Sequence, residues 1–444
     1  MLNSAEVSSS TAPAEYCDVA GVGFGPANIA LAILMEEVGF PGKATFLEKH
    51  IQSSWQPEML LPGSDIQNNP GRDLVTPRNP RSRYTFMNFL FEHNRLFEHL
   101  NLGLPFPLRR EFAEYVVWVA NFFSAQVAYG NQVERLSLSR EAPGCYALET
   151  SQGRVVQARS VVLAPGRTPL IPEVFRQADR QQVFHLTAYQ RSISELAARR
   201  PLRRVVVVGG SQSAVEIILH LRASHPETEV INIQRGYGFR LKDTSPFSEH
   251  VYFPEFVDYY YDGSPETKQR LNKHLHYTNY SSADADVIHQ LYVSMYEDKL
   301  AGKTRVTIIN NSDITACEQH GDYYRLGLEE TNLQQAQWLE GVDGVILATG
   351  FRNFGAGEQD ERCPAILNEI YPLLQTHENG VIKIGRDYRL LPKAGVDLPP
   401  LYLNGLCESS HGYGDAGSFS LLSLRAKEIW QSLAAQLQPE NACS

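Results

Sequence analysis

The stretch DVAGVGFGPANIALAILM, residues 18–35, is the one whose reading decides the fold. A membrane span needs about 20 consecutive apolar residues, and four interruptions by Gly and Pro, together with Asn28, argue against one here. The pattern predicts instead a short buried strand over Tyr16–Ala20, a tight turn over Gly21–Pro26 and a helix over Asn28–Glu37. After another turn, Ala44–Glu48 reads as a second strand, which completes a βαβ opening.

Outward from this unit the same order returns: strand Arg204–Val208, turn Gly209–Ser213, helix Ala214–Ala223 and strand Glu229–Gln234. The chain therefore reads as α/β with two Rossmann-like dinucleotide-binding domains. Two further strands end in Gly turns, Val161–Ala164 before Pro165-Gly166 and Gly344–Ala348 before Thr349-Gly350. They are expected at sheet edges where the chain crosses between domains; an ordinary buried strand with a Gly cap is the other reading. Ser82–His99 and Arg109–Ala125 space their aromatics helically, and residues 251–300, rich in Tyr, Asp and His, read as a smaller, mostly helical insertion on the substrate side. A last helix is expected from Leu421 to about Leu437. The resulting division is 14–170 and 352–440 for the first nucleotide domain, 171–235 and 301–351 for the second, and 236–300 for the insertion.

With 444 residues, 43% of them hydrophobic, the chain has room for two or three domains with full cores, which excludes disorder. Forty basic against fifty acidic residues, a net charge of −10 and no basic run of five leave no footprint for nucleic acid. Cys17, Cys145, Cys317, Cys363, Cys407 and Cys443 are scattered without a CxxC pair or metal-ligand spacing. No metal is expected, and a reduced cytoplasm is the natural setting. The first fourteen residues are Ser/Ala-rich without a positive cluster ahead of an apolar run, and read as a frayed tail, not a signal peptide.

In the first turn, Gly21 is expected to make the bend and Gly23 to let the backbone approach a pyrophosphate at the positive helix end. Pro26 stands where a third glycine is usual, and proline suits a first helical position because its missing N–H had no partner there. Glu48, at the end of the next strand, is placed to accept from a ribose hydroxyl, which favours the unphosphorylated ribose of FAD or NAD. In the second turn, Gly209-Gly210-Ser211-Gln212-Ser213-Ala214, Ser211 takes the place of the glycine of closest approach. Arg235 stands where the first unit has Glu48, and a guanidinium there pairs with a 2′-phosphate. The pair of turns points to FAD first and NADPH second. The bland alternatives are a glycine turn without a ligand and a surface arginine at a strand end.

Disulfide reductases need a redox cysteine pair beside the flavin, and no two cysteines here are close in sequence. The Baeyer–Villiger type of monooxygenase carries an FxGxxxHxxxW/D stretch between its nucleotide sites, where this chain reads VFHLTAYQ (183–190). A different monooxygenase or a simple electron transferase remains.

From about Tyr16 to about Leu437 the chain resembles the flavin-dependent N-hydroxylating monooxygenases of siderophore biosynthesis, the L-ornithine and L-lysine N-hydroxylase family. The resemblance is carried by GVGFGPAN (21–28), SSWQPEMLLP (53–62), DLVTPRNPRSRYTFMNFL (73–90), RREFAEYVVWVA (109–120), GGSQSAVE (209–216), TSPF (244–247), YTNYS (277–281), ILATGF (346–351), IGRDYRL (384–390) and SHG (410–412), in that order. It implies that NADPH reduces FAD, that O2 adds to flavin C4a, that NADP⁺ stays bound, and that a neutral primary amine attacks the resulting hydroperoxide. Flavin contacts then fall on Gly21, Gly23, Pro26, Glu48, Trp55 and Gln67, and nicotinamide-nucleotide contacts on Gly210, Gln212, Ser213 and Arg235, with Gly350 a further cofactor-binding residue. Asn279 of YTNYS matches an asparagine that meets both nucleotide and substrate amine, so Asn279 and Gln67 are the candidate catalytic residues. An Asn capping a helix near Ser281 is the alternative reading. The resemblance also implies a homo-oligomer, commonly a tetramer.

The departures bear on substrate. The family's Ser-Phe-Leu-Lys after Gln67 is replaced by Asn68-Asn69-Pro70-Gly71-Arg72, which keeps a cation as Arg72. Glu249 stands where the family has a head-group asparagine, the usual Trp-His pair is Trp55-Gln56, and the loop normally like SHGLSDTLLS is SHGYGDAGSFSLLS, with Ser420 in the family's substrate position. An ornithine- or lysine-like zwitterion would use Arg72 for its carboxylate and Glu249 for its α-ammonium, and is the leading expectation. A diamine such as putrescine or cadaverine would use Glu249 alone. Aspartate, hydroxylated on its α-amine, would use Arg72 but meet Glu249 as a like charge. A flavoprotein reductase or NADPH oxidase without an amine substrate is the rival activity.

Overall fold

The computed structural model describes residues 15–415 and 417–437; the expected N-terminal tail and Cys443 lie outside them. The stretch that opened the sequence reading forms a strand, Glu15–Val22, and a helix, Pro26–Glu37, with Pro26 in its first turn. Every residue of that helix from Asn28 to Met35 is buried. A helix apolar all round needs cover on all sides. Here it lies between the first sheet and the C-terminal helix Leu422–Leu437, whose Ala426, Ile429 and Leu433 share its core. No described helix is long and apolar enough to cross a membrane.

The first sheet has seven strands. Val127–Ala128, Ala44–Leu47, Glu15–Val22 and Val155–Leu163 run parallel in that order, and Leu401–Leu403 joins Val155–Leu163 in parallel. Tyr146–Thr150 and Val133–Leu138 continue it as an antiparallel meander. The second sheet is wholly parallel, in the order Val306–Ile309, Glu229–Ile233, Arg204–Val208, Gly344–Leu347, Val183–His185. Strands buried on both faces read as continuous apolar runs, and Arg-Val-Val-Val-Val is such a run.

Several expectations are corrected. Val155–Leu163 and Gly344–Leu347 are interior strands, not edges, because each is hydrogen-bonded on both sides. Ser82–His99 is two helices, Phe86–Glu92 and Leu96–Leu102, separated where Asn94 takes a φ of 55°. A third sheet, the antiparallel Ser312–His320, Tyr323–Glu330 and Gln335–Val342, was not foreseen. Its Leu326 and Leu328 pack against Val206 and Ile231 of the second sheet. The helical stretch after 250 forms Pro254–Tyr261, Pro265–His274 and Ala285–Leu300. The last of these lays Val287, Ile288 and Leu291 into the core of the second sheet beside Ile217 and Val205.

Candidate active site

The first glycine turn distributes its roles differently from the expectation. Gly21 is still in the strand, where a Cβ would sit 2.2 Å from the Phe46 ring; its smallness serves packing. Gly23 makes the bend, with φ 82° and room for a Cβ denied by Ala164 O at 2.3 Å. Gly25 is the N-cap residue, extended, and a Cβ there would meet nothing within 4 Å. The open approach to the helix N-terminus is therefore over Gly25. Asn28 clamps the turn by donating to Gly23 O at 2.7 Å. Its Oδ1 accepts from Asn404 (3.1 Å), whose own Oδ1 accepts from Arg425 Nε (2.9 Å). Arg425 pairs with buried Asp415, so the C-terminal segment braces the N-terminal turn. Glu48 is buried and accepts from Phe24 N (2.7 Å) and His50 N (2.9 Å). A carboxylate has about four lone-pair sites, so it keeps capacity for a ribose hydroxyl.

The second turn repeats the device. Gly209 has φ 143° against Ala348 O, and Asn232 donates to Gly209 O at 2.8 Å. Gln212 is more occupied than its sequence position implied. Its N–H donates to Ser282 O (3.0 Å), its Nε2 to Glu216 (3.0 Å), and its Oε1 accepts from Asp284 N (2.9 Å). Arg235 is exposed beyond the end of its strand. Gly350 has φ 77°, and its carbonyl accepts from the His185 ring at 2.8 Å. Burial pulls that imidazole down to about 4, so it is neutral.

A cavity of about 690 Å³ brings together eight of the residues singled out from the sequence: Trp55, Gln67, Arg72, Gln212, Ser213, Glu249, Asn279 and Ser420. Gly21, Gly23, Pro26, Glu48, Gly210, Arg235 and Gly350 are not in its lining. Trp55 stands edge-on to Phe112 and Phe419, with centroids 5.7 and 5.3 Å away. Arg72 Nη1 reaches Ser420 Oγ at 3.5 Å. Asn279 does not start the helix Ala285–Leu300, whose N-cap is Asp284, but it closes the 3₁₀ turn His276–Thr278 as its C-cap residue, its backbone N–H on His276 O, and its side chain is left free of that role. Its Oδ1 lies 3.3 Å from the hydroxyl of Tyr252, a residue that sequence reading missed. The signal was available: Glu249 and Tyr252 are three apart on the 3₁₀ turn Ser248–Tyr252, and with 3.0 residues per turn they fall on one face.

One wall of the cavity is an ionic cluster joining the two sheets. Arg109, at the start of the helix Arg109–Asn121, makes a buried bidentate pair with Glu216 of the helix Gln212–Ser224, at 2.7 and 2.8 Å. It also donates to Met59 O and Asp65 O. Gln67, held at φ 52°, donates from its backbone to Asp65 (2.8 Å) and from its side chain to Asp284 (2.5 Å). Three carboxylates, Asp65, Glu216 and Asp284, thus gather here, and Arg109 pairs directly with Glu216 alone. Burial raises Asp65 to about 6, helped by the charges of Asp284 and Glu216. A carboxyl whose folded pKa is raised loses stabilisation as pH climbs from its unfolded value through the folded one. Asp65→Asn, which keeps the acceptor for Gln67, is therefore expected to raise the melting temperature by roughly 1–3 °C at pH 8 and leave it unchanged near pH 4, as thermal melts at the two pH values will read.

Comparison with known proteins shows the family. The family described as L-lysine 6-monooxygenase/L-ornithine 5-monooxygenase matches residues 15–353. An L-ornithine N(5)-monooxygenase of Pseudomonas aeruginosa is 34% identical over 444 aligned positions, covering 97% of each chain. Among solved structures, an ornithine N-hydroxylase of Kutzneria sp. 744, with reduced FAD, NADP⁺ and L-ornithine, superposes with a TM-score of 0.87 at 32% identity, over 95% of this chain and 99% of that one. An L-lysine 6-monooxygenase of Pseudomonas syringae has a TM-score of 0.84 at 34% identity, over 95% of this chain and all of that one. The two braced glycine turns, the shared cavity and the match along nearly the whole length place the chain in the L-lysine 6-monooxygenase/L-ornithine 5-monooxygenase family of flavin-dependent N-hydroxylating enzymes.

Proposed function

We propose that the protein hydroxylates the side-chain primary amine of a dibasic amino acid, ornithine- or lysine-like, using FAD, NADPH and O2, in a step toward a siderophore or related hydroxamate. The observation that carries the substrate reading is the pairing of Arg72 and Glu249 in one cavity with Asn279. Among the described residues neither charge has an ion-pair partner of its own, and opposite charges lining one cavity suit the carboxylate and α-ammonium of a zwitterion. Ser420, bonded to Arg72, completes that end.

The open N-terminus over Gly25, with Glu48 beneath it, fits FAD, and residues 14–170 and 352–440 are assigned to it. Residues 171–235 and 301–351, with Gly210, Gln212, Ser213 and Arg235, are assigned to NADPH, and 236–300 to the substrate side. FAD reduced by NADPH supplies oxygen activation when bound. The chain's own work is to orient the amine and deliver it uncharged. For a lysine-like amine of pKa ~10.4, neutralisation at pH 7 costs roughly 4–5 kcal/mol. Desolvation in the cavity lowers that cost, and Asn279 supplies an amide that meets the nitrogen without adding charge. Trp55 and Phe419 cover the site with apolar rings. The five described cysteines are unpaired, three of them buried, which supports a reducing cytoplasm.

The test is hydroxylamine formed per NADPH across ornithine, lysine, putrescine, cadaverine and aspartate, with coupling expected for a dibasic amino acid. Amine-independent NADPH turnover would favour the reductase instead. Glu249→Asn is expected to raise KM for the preferred amino acid about tenfold or more, since a hydrogen bond to a charged group contributes roughly 1.5–3 kcal/mol. An unchanged KM removes Glu249 from the head group.

A further inference from the structure

Tyr252 lines the same cavity as Arg72, Glu249, Asn279 and Ser420. It ends the 3₁₀ turn Ser248–Tyr252 that also carries Glu249. Its hydroxyl lies 3.2 Å from Thr278 O and 3.3 Å from Asn279 Oδ1. A phenol has one proton to give, so two consecutive acceptors, one backbone and one side chain, share it. Both distances exceed the roughly 2.7–2.8 Å usual for such bonds, and hydrogen bonds in active sites often tighten only once substrate is bound. Among the described residues no other group bonds to the Asn279 amide. The last torsion of an asparagine is broad and roughly two-fold. Without the Tyr252 hydroxyl, therefore, no described side chain selects whether the oxygen or the nitrogen of that amide meets the cavity.

Resting on the amine N-hydroxylase reading, we propose that Tyr252 is a positioning residue, whose hydroxyl holds the Asn279 amide in the orientation that sets the substrate nitrogen for reaction and ties that amide to the turn carrying Glu249. Both ends of the substrate are then referred to one short element. The α-ammonium meets Glu249 directly, and the reacting nitrogen meets Asn279, which Tyr252 holds. Tyr252 itself makes and breaks no bond in the reaction. One hydrogen bond to Oδ1 also occupies one of the two lone pairs of the amide oxygen. The pocket is left with a single acceptor there, which suits a neutral amine better than an ammonium with three N–H groups to satisfy.

The electrostatics keep the donor in place. Burial pushes the Tyr252 phenol above its ordinary value; the charges of Glu249 and Glu408 add to this and that of Arg72 opposes it. The phenol therefore stays neutral and retains the proton that the amide oxygen accepts.

The experiment uses the full FAD-loaded chain and the amine that the unmodified protein hydroxylates best, measuring hydroxylamine formed per NADPH and the KM for the amine. Tyr252→Phe keeps the ring and removes only the hydroxyl. It is expected to lower hydroxylamine per NADPH about three- to tenfold, the scale of one neutral hydrogen bond. KM should stay within about twofold, because Arg72 and Glu249 still hold the head group. Thr278 is buried and its carbonyl loses a donor in the same variant, so the substitution is repeated in an Asn279→Ala background. A residue that acts through Asn279 has nothing left to position there, and the double variant should couple no worse than Asn279→Ala alone. A hydroxyl with a merely structural role would lower coupling by the same factor in both backgrounds. Equal losses in the two backgrounds, undiminished coupling in Tyr252→Phe, or a loss confined to KM would each overturn the assignment. Absence of hydroxylamine from the unmodified protein with every amine would overturn the N-hydroxylase reading itself, and the role of Tyr252 with it.

Discussion

With Asn279 replaced by alanine, NADPH consumption should persist while hydroxylamine per NADPH falls by about 10²-fold, the scale of loss when a reacting group is misplaced by an ångström. The amide sits in the shared cavity, with Tyr252 on its Oδ1 at 3.3 Å. No other amide among the residues singled out for substrate contact duplicates it. Asn279→Asp is the sharper test because the sign is opposite in mechanism though not in outcome. A carboxylate within about 4–6 Å of the amine raises its pKa by roughly 1–3 units, which holds the substrate as ammonium. That variant should be poor at pH 7 and recover at alkaline pH, whereas Asn279→Ala should stay poor throughout. Coupling measured at pH 7 and pH 10 separates the two. Undiminished coupling in the alanine variant would remove Asn279 from contact with the amine.

The second large effect is on stability. Removing Glu216 by substitution with alanine leaves the Arg109 guanidinium buried with only the carbonyls of Met59 and Asp65. Breaking one partner of a buried pair costs about 3–5 kcal/mol. The double change Arg109→Met with Glu216→Leu should recover most of that, since an apolar pair of similar volume leaves no orphan charge. Urea denaturation of the single and double variants completes the cycle. Because Arg109 belongs to a helix against the first sheet and Glu216 to one against the second, the single variant should also loosen the cavity wall that carries Gln67. A single-variant cost below about 1 kcal/mol would mean that water already reaches the pair.

Part of this architecture is local and was readable. A glycine forced to positive φ, a proline at a helix start and an apolar run between them are properties of a few consecutive residues, so both βαβ units stand where their sequences place them. Even there the assignment of roles needed neighbours. Gly21 is small because Phe46 lies against it, and Gly23, not Gly21, makes the bend because Ala164 closes the space. The strands after residues 155 and 344 looked like edges because nothing local shows which strands flank them.

By itself the sequence determined the α/β class, the two nucleotide turns, the family resemblance and eight of the side chains that line the cavity, because these rest on backbone constraints and motifs a few residues long. The tertiary structure alone decided who faces whom. Gln67 meets Asp284 across 217 positions, Arg109 meets Glu216 across 107, and Arg72 meets Ser420 across 348. Contacts at such separations follow from how sheets and helices pack, and no periodicity in the chain encodes them. The raised Asp65 and Tyr252 belong to the same class. Their altered proton affinity comes from burial and from charges brought near by folding, so it exists only once the chain has closed around them.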